Sequence, residues 1–572
     1  MNPPIRALLL DLDGVITDTA EYHYLGWKRL AEEEGIPFTR EDNEELRGVS
    51  RRESLRRMLK GRQIDEATAQ AWMERKNNYY RESLQQITPE DLLPGVANLL
   101  AAAKQADLKL AVVSASRNAP SVIQRLGIAS QFDAVITGGH AGRAKPAPDH
   151  FLLAARELGL SPAECIGIED AEAGVDAILA AGMVAVGLGP VERVGAATVV
   201  LPSLQGVTLD RILYAATWWV REDRFDPADQ HHRETVFTHG NGVLSTRGAF
   251  EEGFPGDRQT TMIHGMWDDV PIVYTELVNA PDWTAIDLWI DGQRFRMDRG
   301  QIESYSRYLD LRSGELHRHI QWTPPGGSPV LLHFTRLTDL SDPHALAVRL
   351  TITPLERSVR VRVRARIDGH VENEGVLHWK EFEEWSDGDN VYLQARTRVT
   401  EKALIEGMTV LADEATDLQR RTQDSPLNPG IDVDATLDPS VAWTVQKLVS
   451  LYTSRDEVDL RQAAANKLDE LRSEGIAGIR QRNRVAWADF WDDSDVIIEG
   501  DDEAQVSLRH ALFQLRIAAP ENDDRVSIAA KSLSGFGYRG HVFWDTEIFI
   551  LPFFIYTQPE LARNLLMYRW HT

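Results

Sequence analysis

Short apolar runs at residues 5–10, 108–113, 134–137, 165–168 and 184–187 are separated by stretches of helical periodicity. A run without alternation reads as a strand buried on both faces. Such strands, spaced by helices, require a parallel sheet covered on both sides. This predicts an α/β domain over residues 1–220. Residues 17–92, rich in Glu, Arg, Leu and Ala, break the alternation and read as a helical insertion after the first strand.

The texture then changes. Between 229 and 455 alternation is frequent, and 359–367 reads Val-Arg-Val-Arg-Val-Arg-Ala-Arg-Ile. Period two buries one face and leaves arginines on the other. Many such runs between turn residues predict a large β-sandwich. A nucleic-acid ribbon is excluded on charge: 87 Asp and Glu against 62 Lys and Arg give a net −25. That balance repels nucleic acid and anionic lipid, so the arginine face is expected to be solvated or salt-bridged. The polar stretch 221–229 is the expected linker. Helical patterns return over 460–471, 479–491 and 503–518, with 456–500 read as linker helices. At roughly 100–200 residues per domain, 572 residues make a multidomain chain.

The single cysteine, Cys165, lies in an apolar run, which makes it a core residue and rules out an intrachain disulfide. The first ten residues are too short and too soon followed by Asp11 and Asp13 for a signal peptide. The apolar run at 548–556 falls short of the roughly 18–20 residues that span a bilayer. A cytoplasmic protein with no membrane partner is expected.

Chemistry gathers at the strand ends. Asp11-Leu12-Asp13-Gly14 closes the first strand, Ser114-Ala115-Ser116 the second, Lys145-Pro146 follows the third and Glu169-Asp170 closes the fourth. Ligands bind at the carboxyl ends of such sheets. Two carboxylate pairs, a hydroxyl and a lysine brought together there make a pocket suited to magnesium and phosphate.

These four motifs, in this order, resemble the haloacid dehalogenase superfamily. Asp18-Thr19-Ala20-Glu21-Tyr22-His23, Trp27-Lys28, Arg47-Gly48-Val49-Ser50-Arg51, Lys76-Asn77 and Ser116-Arg117-Asn118 narrow the likeness to its β-phosphoglucomutase family, over essentially residues 1–220. The resemblance implies a Rossmann-like core with a helical cap. It makes Asp11 the nucleophile and Asp13 the general acid/base. Magnesium would be held by Asp11, the Asp13 carbonyl, Glu169 and Asp170. Ser114 and Lys145 would grip the transferring phosphoryl group, and Arg51, Ser116, Arg117 and Asn118 the other phosphate. Thr17, Gly48, Val49, Ser50, Ser54 and Ala115 complete the substrate site, and His23, Trp27 and Lys76 couple cap closure to substrate. Arg117 stands where the family pattern has Lys, which keeps charge and alters geometry. The implied reaction interconverts β-glucose 1-phosphate and glucose 6-phosphate, primed by β-glucose 1,6-bisphosphate. A sugar-phosphate phosphatase using the same Asp11 is the alternative.

Gly240-Asn241-Gly242, Val278-Asn279-Ala280-Pro281-Asp282-Trp283 and His541-Val542-Phe543-Trp544-Asp545-Thr546-Glu547 resemble the glycoside hydrolase family 65 phosphorylases acting on maltose, trehalose and kojibiose. In that family the segment matching Trp544-Asp545 belongs to the glucose site of an (α/α)6 barrel. Residues 501–572 are too few for twelve helices, so the reading is the start of an incomplete barrel without phosphorylase activity of its own. Small-molecule sugar phosphates are the expected partners, with disaccharides as candidates for the second half. A saccharide-binding module without catalysis is the alternative there, and an oligomer is compatible with the sequence.

Overall fold

A computed structural model describes residues 4–44, 46, 51–140, 142–270, 274–423 and 425–572. The chain forms two compact units, Asn2–Trp218 and Trp219–Thr572.

In the first unit, β1 (Ala7–Leu10), β2 (Lys109–Ser114), β3 (Ala134–Thr137), β4 (Cys165–Glu169), β5 (Val184–Leu188) and β6 (Val199–Leu201) form one sheet in the order β3-β2-β1-β4-β5-β6. All its pairings are parallel. The expected strands are present, and β6 adds a three-residue strand too short to show a pattern. Every residue of β1 is buried, as an apolar run without alternation requires. Cys165 is buried in the core with Leu9, Val113, Phe151 and Ile178. Leu10 pairs with Ile168, so Asp11 and Glu169 follow at the same sheet edge. The strand order reverses beside β1, where α/β sheets open a crevice for ligands.

The insertion folds as α1 (Ala20–Glu33), α2 (Arg40–Glu44), α3 (Arg51–Met58) and α4 (Glu66–Ser83). It has a core of its own, built from Trp27, Leu30, Leu55, Met58 and Trp72. Asp65 caps α4 by accepting from the Thr68 N–H, satisfying a donor the helix leaves unpaired. The two cap connections run side by side: Leu93 N–H donates to Ile16 O at 3.0 Å, and Thr17 bridges Leu92.

The second unit carries antiparallel sheets of nine, five and four strands. Their inner faces enclose one apolar core that includes Trp283, Trp322, Phe334, Val363 and Trp443. The strand Val359–Arg366 alternates as its sequence dictates: the valines are buried, and the arginines pair with acids, Arg362 with Asp434, Arg364 with Asp432 and Arg366 with Asp287 and Asp368. The linker expected at 221–229 is corrected. Trp219–Glu222 is the edge strand of the nine-stranded sheet, paired with Gln301–Asp310. Its Glu222 is buried in an ion pair with Arg307 at 3.0 Å, so polarity at 221–222 marks a paired interior, while 223–229 is irregular and mostly exposed.

The helical patterns at 460–471 and 479–491 belong to one element, Leu460–Ser494, broken at Gly475, whose φ of 60° and ψ of 179° only glycine adopts without strain. Helices Asp502–Ala518, Leu551–Thr557 and Pro559–His571 follow. Phe554, Leu561 and Leu565 pack together, while Phe549, Tyr556 and Trp570 face solvent. Among the described residues no helix is long and apolar enough to cross a membrane.

Candidate active site

The strand-end residues converge. Asp11 leaves β1 and accepts the Asp13 N–H on Oδ2 at 2.9 Å. Gly14 makes the turn with φ +83°, and a Cβ there would lie 2.2 Å from Asp170 Oδ2. Glycine is therefore required both by conformation and by the approach of the Asp170 carboxylate that follows β4. Lys145 Nζ donates to Asp11 Oδ1 at 2.5 Å, Glu169 Oε2 at 2.9 Å and Val113 O at 3.0 Å. Burial alone would lower this ammonium, but Asp11 and Glu169 outweigh it and raise its pKa. Ser114 Oγ accepts the Ser116 N–H at 3.1 Å, and Ser116 Oγ the Asn118 N–H at 3.2 Å, which folds the loop after β2 tightly over the pocket.

One carboxylate oxygen from each of Asp11, Glu169 and Asp170 lies within 4.8 Å of the other two. All three residues are buried, with Lys145 the cation that touches two of them. Burial and the Asp11 charge push Glu169 well above the usual carboxylate range. Burial, Asp11 and Asp170 do the same to Asp13. Crowded buried carboxylates of this kind call for positive charge beyond Lys145 and the more distant Arg193, whose Nη2 lies 3.9 Å from Asp170 Oδ2, and the all-oxygen donor set fits a hard divalent ion.

The cap closes the other side. Thr19 Oγ1 donates to Asp13 Oδ1, and Tyr80 Oη donates to Thr19 Oγ1 at 3.2 Å. Lys76 Nζ stands 2.8 Å from His23 Nδ1 and 5.0 Å from the centre of the Trp27 ring. Burial and the neighbouring Arg51 lower the Lys76 pKa against the pull of Asp13, and burial with Lys76 lowers His23. Asn77 Oδ1 accepts from Arg51 Nη2 and from Asn118 Nδ2, both at 2.8 Å. One amide thereby ties the cap to the loop after β2. Burial and the Arg117 charge lower the Arg51 pKa.

Of the residues singled out in sequence, Asp11, Asp13, Lys145, Glu169, Asp170, Ser114, Ser116, Asn118, His23, Lys76 and Arg51 are brought around this pocket. Trp27 and Ser54 are buried in the cap, and Ala115 lies in the loop after β2. Thr17 Oγ1 donates to Asp91 O at 2.7 Å, at the cap hinge. Arg117 is exposed, its Nε 3.4 Å from Gly138 O. Gly48, Val49 and Ser50 lie outside the described residues. Trp544 is exposed beside Phe549, with ring centres 6.0 Å apart, and Asp545 is half-buried next to it. Thr19, Asn77 and Tyr80 were not singled out. Thr19 and Asn77 stand in the motif runs, but Tyr80 lies 61 residues from Thr19, and Arg51 and Asn118 lie 26 and 41 residues from Asn77, separations no local pattern reveals.

Three family models match the chain: haloacid dehalogenase-like hydrolase over 5–182, the glycosyl hydrolase family 65 N-terminal domain over 220–490, and the family 65 central catalytic domain over 509–572. The β-phosphoglucomutase of Bacillus subtilis is 46% identical over 210 residues, covering 36% of this chain and 93% of that protein. Kojibiose phosphorylase of Halothermothrix orenii is 34% identical over 374 residues, covering 62% of this chain and 47% of that protein. A solved structure described as "Putative kojibiose phosphorylase from human microbiome" shares the fold with a TM-score of 0.58 at 24% identity, over 62% of this chain and 48% of that one. The chain thus spans about half the length of the phosphorylases it matches. Through its first unit the chain belongs to the β-phosphoglucomutase family of haloacid dehalogenase-like hydrolases, and fused to that unit is a region matching the glycosyl hydrolase family 65 N-terminal and catalytic domains.

Proposed function

We propose that the first unit is a β-phosphoglucomutase interconverting β-glucose 1-phosphate and glucose 6-phosphate. What supports this reading is the presence of two separate polar clusters suited to phosphate in the same unit. Lys145 and the carboxylate cluster make one, and Arg51 with Asn118, joined through Asn77, the other. A phosphatase needs one phosphate seat; a mutase working through a bisphosphate needs two.

In the proposed reaction the Asp11 carboxylate attacks phosphorus of a β-glucose 1,6-bisphosphate primer. The bond from phosphorus to the sugar oxygen breaks, and Asp13 gives that oxygen a proton. In the return step a sugar hydroxyl attacks the aspartyl-phosphate and Asp13 takes the hydroxyl proton. Thr19 fixes Asp13 for both steps. Ser114 and Lys145 hold the transferring group, while Arg51, Ser116, Arg117 and Asn118 hold the other phosphate. Asp11, the Asp13 carbonyl, Glu169 and Asp170 would bind magnesium, which supplies the positive charge that lets one anion approach another. His23 and Lys76, in contact at 2.8 Å, link cap position to Asp13.

The experiment supplies β-glucose 1-phosphate, magnesium and catalytic β-glucose 1,6-bisphosphate. Glucose 6-phosphate is the expected product, and Asp11→Asn is expected to abolish turnover. Free glucose and phosphate as sole products would establish the phosphatase instead.

For the second unit, the likeness to family 65 supports a role on glucose disaccharides, with Trp544 and Asp545 as sugar contacts. An aromatic face beside a carboxylate suits a sugar's apolar face and hydroxyl edge. Inverting phosphorolysis of an α-glucoside releases β-glucose 1-phosphate, the substrate proposed for the first unit, which gives the fusion chemical sense. Saturable binding of kojibiose, maltose or trehalose to the full chain, weakened by Trp544→Ala, is the expected result.

A further inference from the structure

Away from the mutase pocket, the nine-stranded sheet presents three histidines on one face. His317 and His319 lie on the strand Glu315–Thr323, and His333 on Val330–Thr338. Register places His319 directly opposite His333, and period two puts His317 on the same face. His317 Nδ1 stands 3.1 Å from His333 Nε2. One ring nitrogen from each of the three lies within 4.8 Å of the other two. Two nitrogens bound to a tetrahedral zinc ion at about 2.0–2.1 Å stand about 3.3 Å apart, so the pair is already at the required spacing.

The surroundings are those of ligating imidazoles. His317 Nε2 lies 3.2 Å from Glu315 Oε2, which places the proton on Nε2 and leaves the Nδ1 lone pair facing His333. Arg480 holds Glu315 in turn, with Nε to Oε1 at 2.9 Å and Nη2 to Oε2 at 2.7 Å. A carboxylate behind the ring is the usual support of a metal-binding histidine. His319 Nε2 is buried with no hydrogen-bond partner among the described residues. Thr335 Oγ1, 3.3 Å from both His317 Nδ1 and His333 Nε2, lies between them. His319 and His333 are only half-buried, so an ion has a route in.

We propose that His317, His319 and His333 form a binding site for a zinc-class divalent ion, with three imidazole nitrogens as ligands and a fourth position open to water. Zinc and its neighbours favour imidazole, whereas magnesium favours the oxygen cluster of the first unit. The His319 and His333 rings are stacked with centres 3.8 Å apart. Binding therefore requires them to turn about χ2 until both lone pairs meet at one point. A bound ion would pin the two strands together and add its binding free energy to the stability of the sandwich.

The test uses the tag-free full chain with magnesium in excess. Zinc is titrated by calorimetry, and cobalt is followed by its visible absorption. We expect one ion per chain, a cobalt spectrum of a four-coordinate nitrogen site, and full retention of both in Asp170→Asn. His319→Ala and His333→Gln should each weaken zinc at least about tenfold, with circular dichroism confirming the fold. If those variants unfold, a zinc-soaked crystal of the unaltered chain decides by its anomalous peak, expected among the three rings. No zinc binding by the unaltered chain, unchanged affinity in both folded variants, or a peak elsewhere would overturn the proposal and leave the three rings as a packing stack.

Discussion

Asn77 accepts two hydrogen bonds, from Arg51 in the cap and from Asn118 in the core of the same unit. The one from the charged Arg51 is worth about 1.5–3 kcal/mol. Asn77→Ala is therefore expected to raise the KM for sugar phosphate about ten- to a hundred-fold, while phosphorylation of Asp11 by a small donor that lacks a second phosphate stays near its normal rate. An equal loss in both assays would place Asn77 outside the distal phosphate seat. Asp13→Ala is expected to cut steady-state turnover by about 10²–10⁴-fold and to spare the phosphorylation step with an activated small donor, measured as a burst. In the second unit Glu251 is fully buried between Arg336 and Arg318. Burial opposes its ionisation, but the two guanidinium groups outweigh burial and lower its pKa from 4.5 to about 2. A folded pKa below the unfolded one stabilises the fold in full above about pH 4.5 and loses that contribution as pH falls toward 2, about 3 kcal/mol in all. Urea unfolding of the full chain should show this loss, and Glu251→Gln, less stable at pH 7, should show a flatter dependence over the same window.

The turn after β1 is the element on which the candidate site depends most. Gly14→Ala would force a side chain into left-handed backbone and onto the Asp170 carboxylate, 2.2 Å away. We expect turnover to fall more than about a hundredfold, with Tm lowered by a few degrees and recovered only in part by magnesium. Activity near that of the unaltered chain would show that the turn relaxes freely. Elements also mark where sequence patterns were informative. The strands β1 to β5 and the helix Asp502–Ala518 were legible because each has a run or a period of its own. The edge strand Trp219–Glu222 was not. Its Arg221 and Glu222 read as linker residues, and it is Arg307, 85 residues away, with Arg233 at 3.8 Å, that gives Glu222 the ion pairs that let it be buried.

At the level of the whole chain, each compact unit encloses its own apolar core. Two calorimetric transitions are expected on heating. Magnesium with a phosphate analogue should move one of them by mass action, and Trp283→Ala, in the sandwich core, should move the other. A single transition displaced by both treatments would show that the units unfold together.

Residue order alone determined the succession of an α/β domain, a β-sandwich and terminal helices. Apolar periodicity is written residue by residue and needs no partner to be read. It also determined which acids, hydroxyls and lysine stand at strand ends, because Asp11, Ser114, Lys145 and Glu169 each close or follow an apolar run. What only the tertiary structure decided are the relations between distant residues. Asn77 meets Arg51 and Asn118, Tyr80 holds the Thr19 that bonds Asp13, and His319 stands opposite His333 with His317 on the same face. Each depends on strand register or helix placement, set by the burial of whole apolar faces, and a pairing fixed that way leaves no mark on the local sequence of either partner.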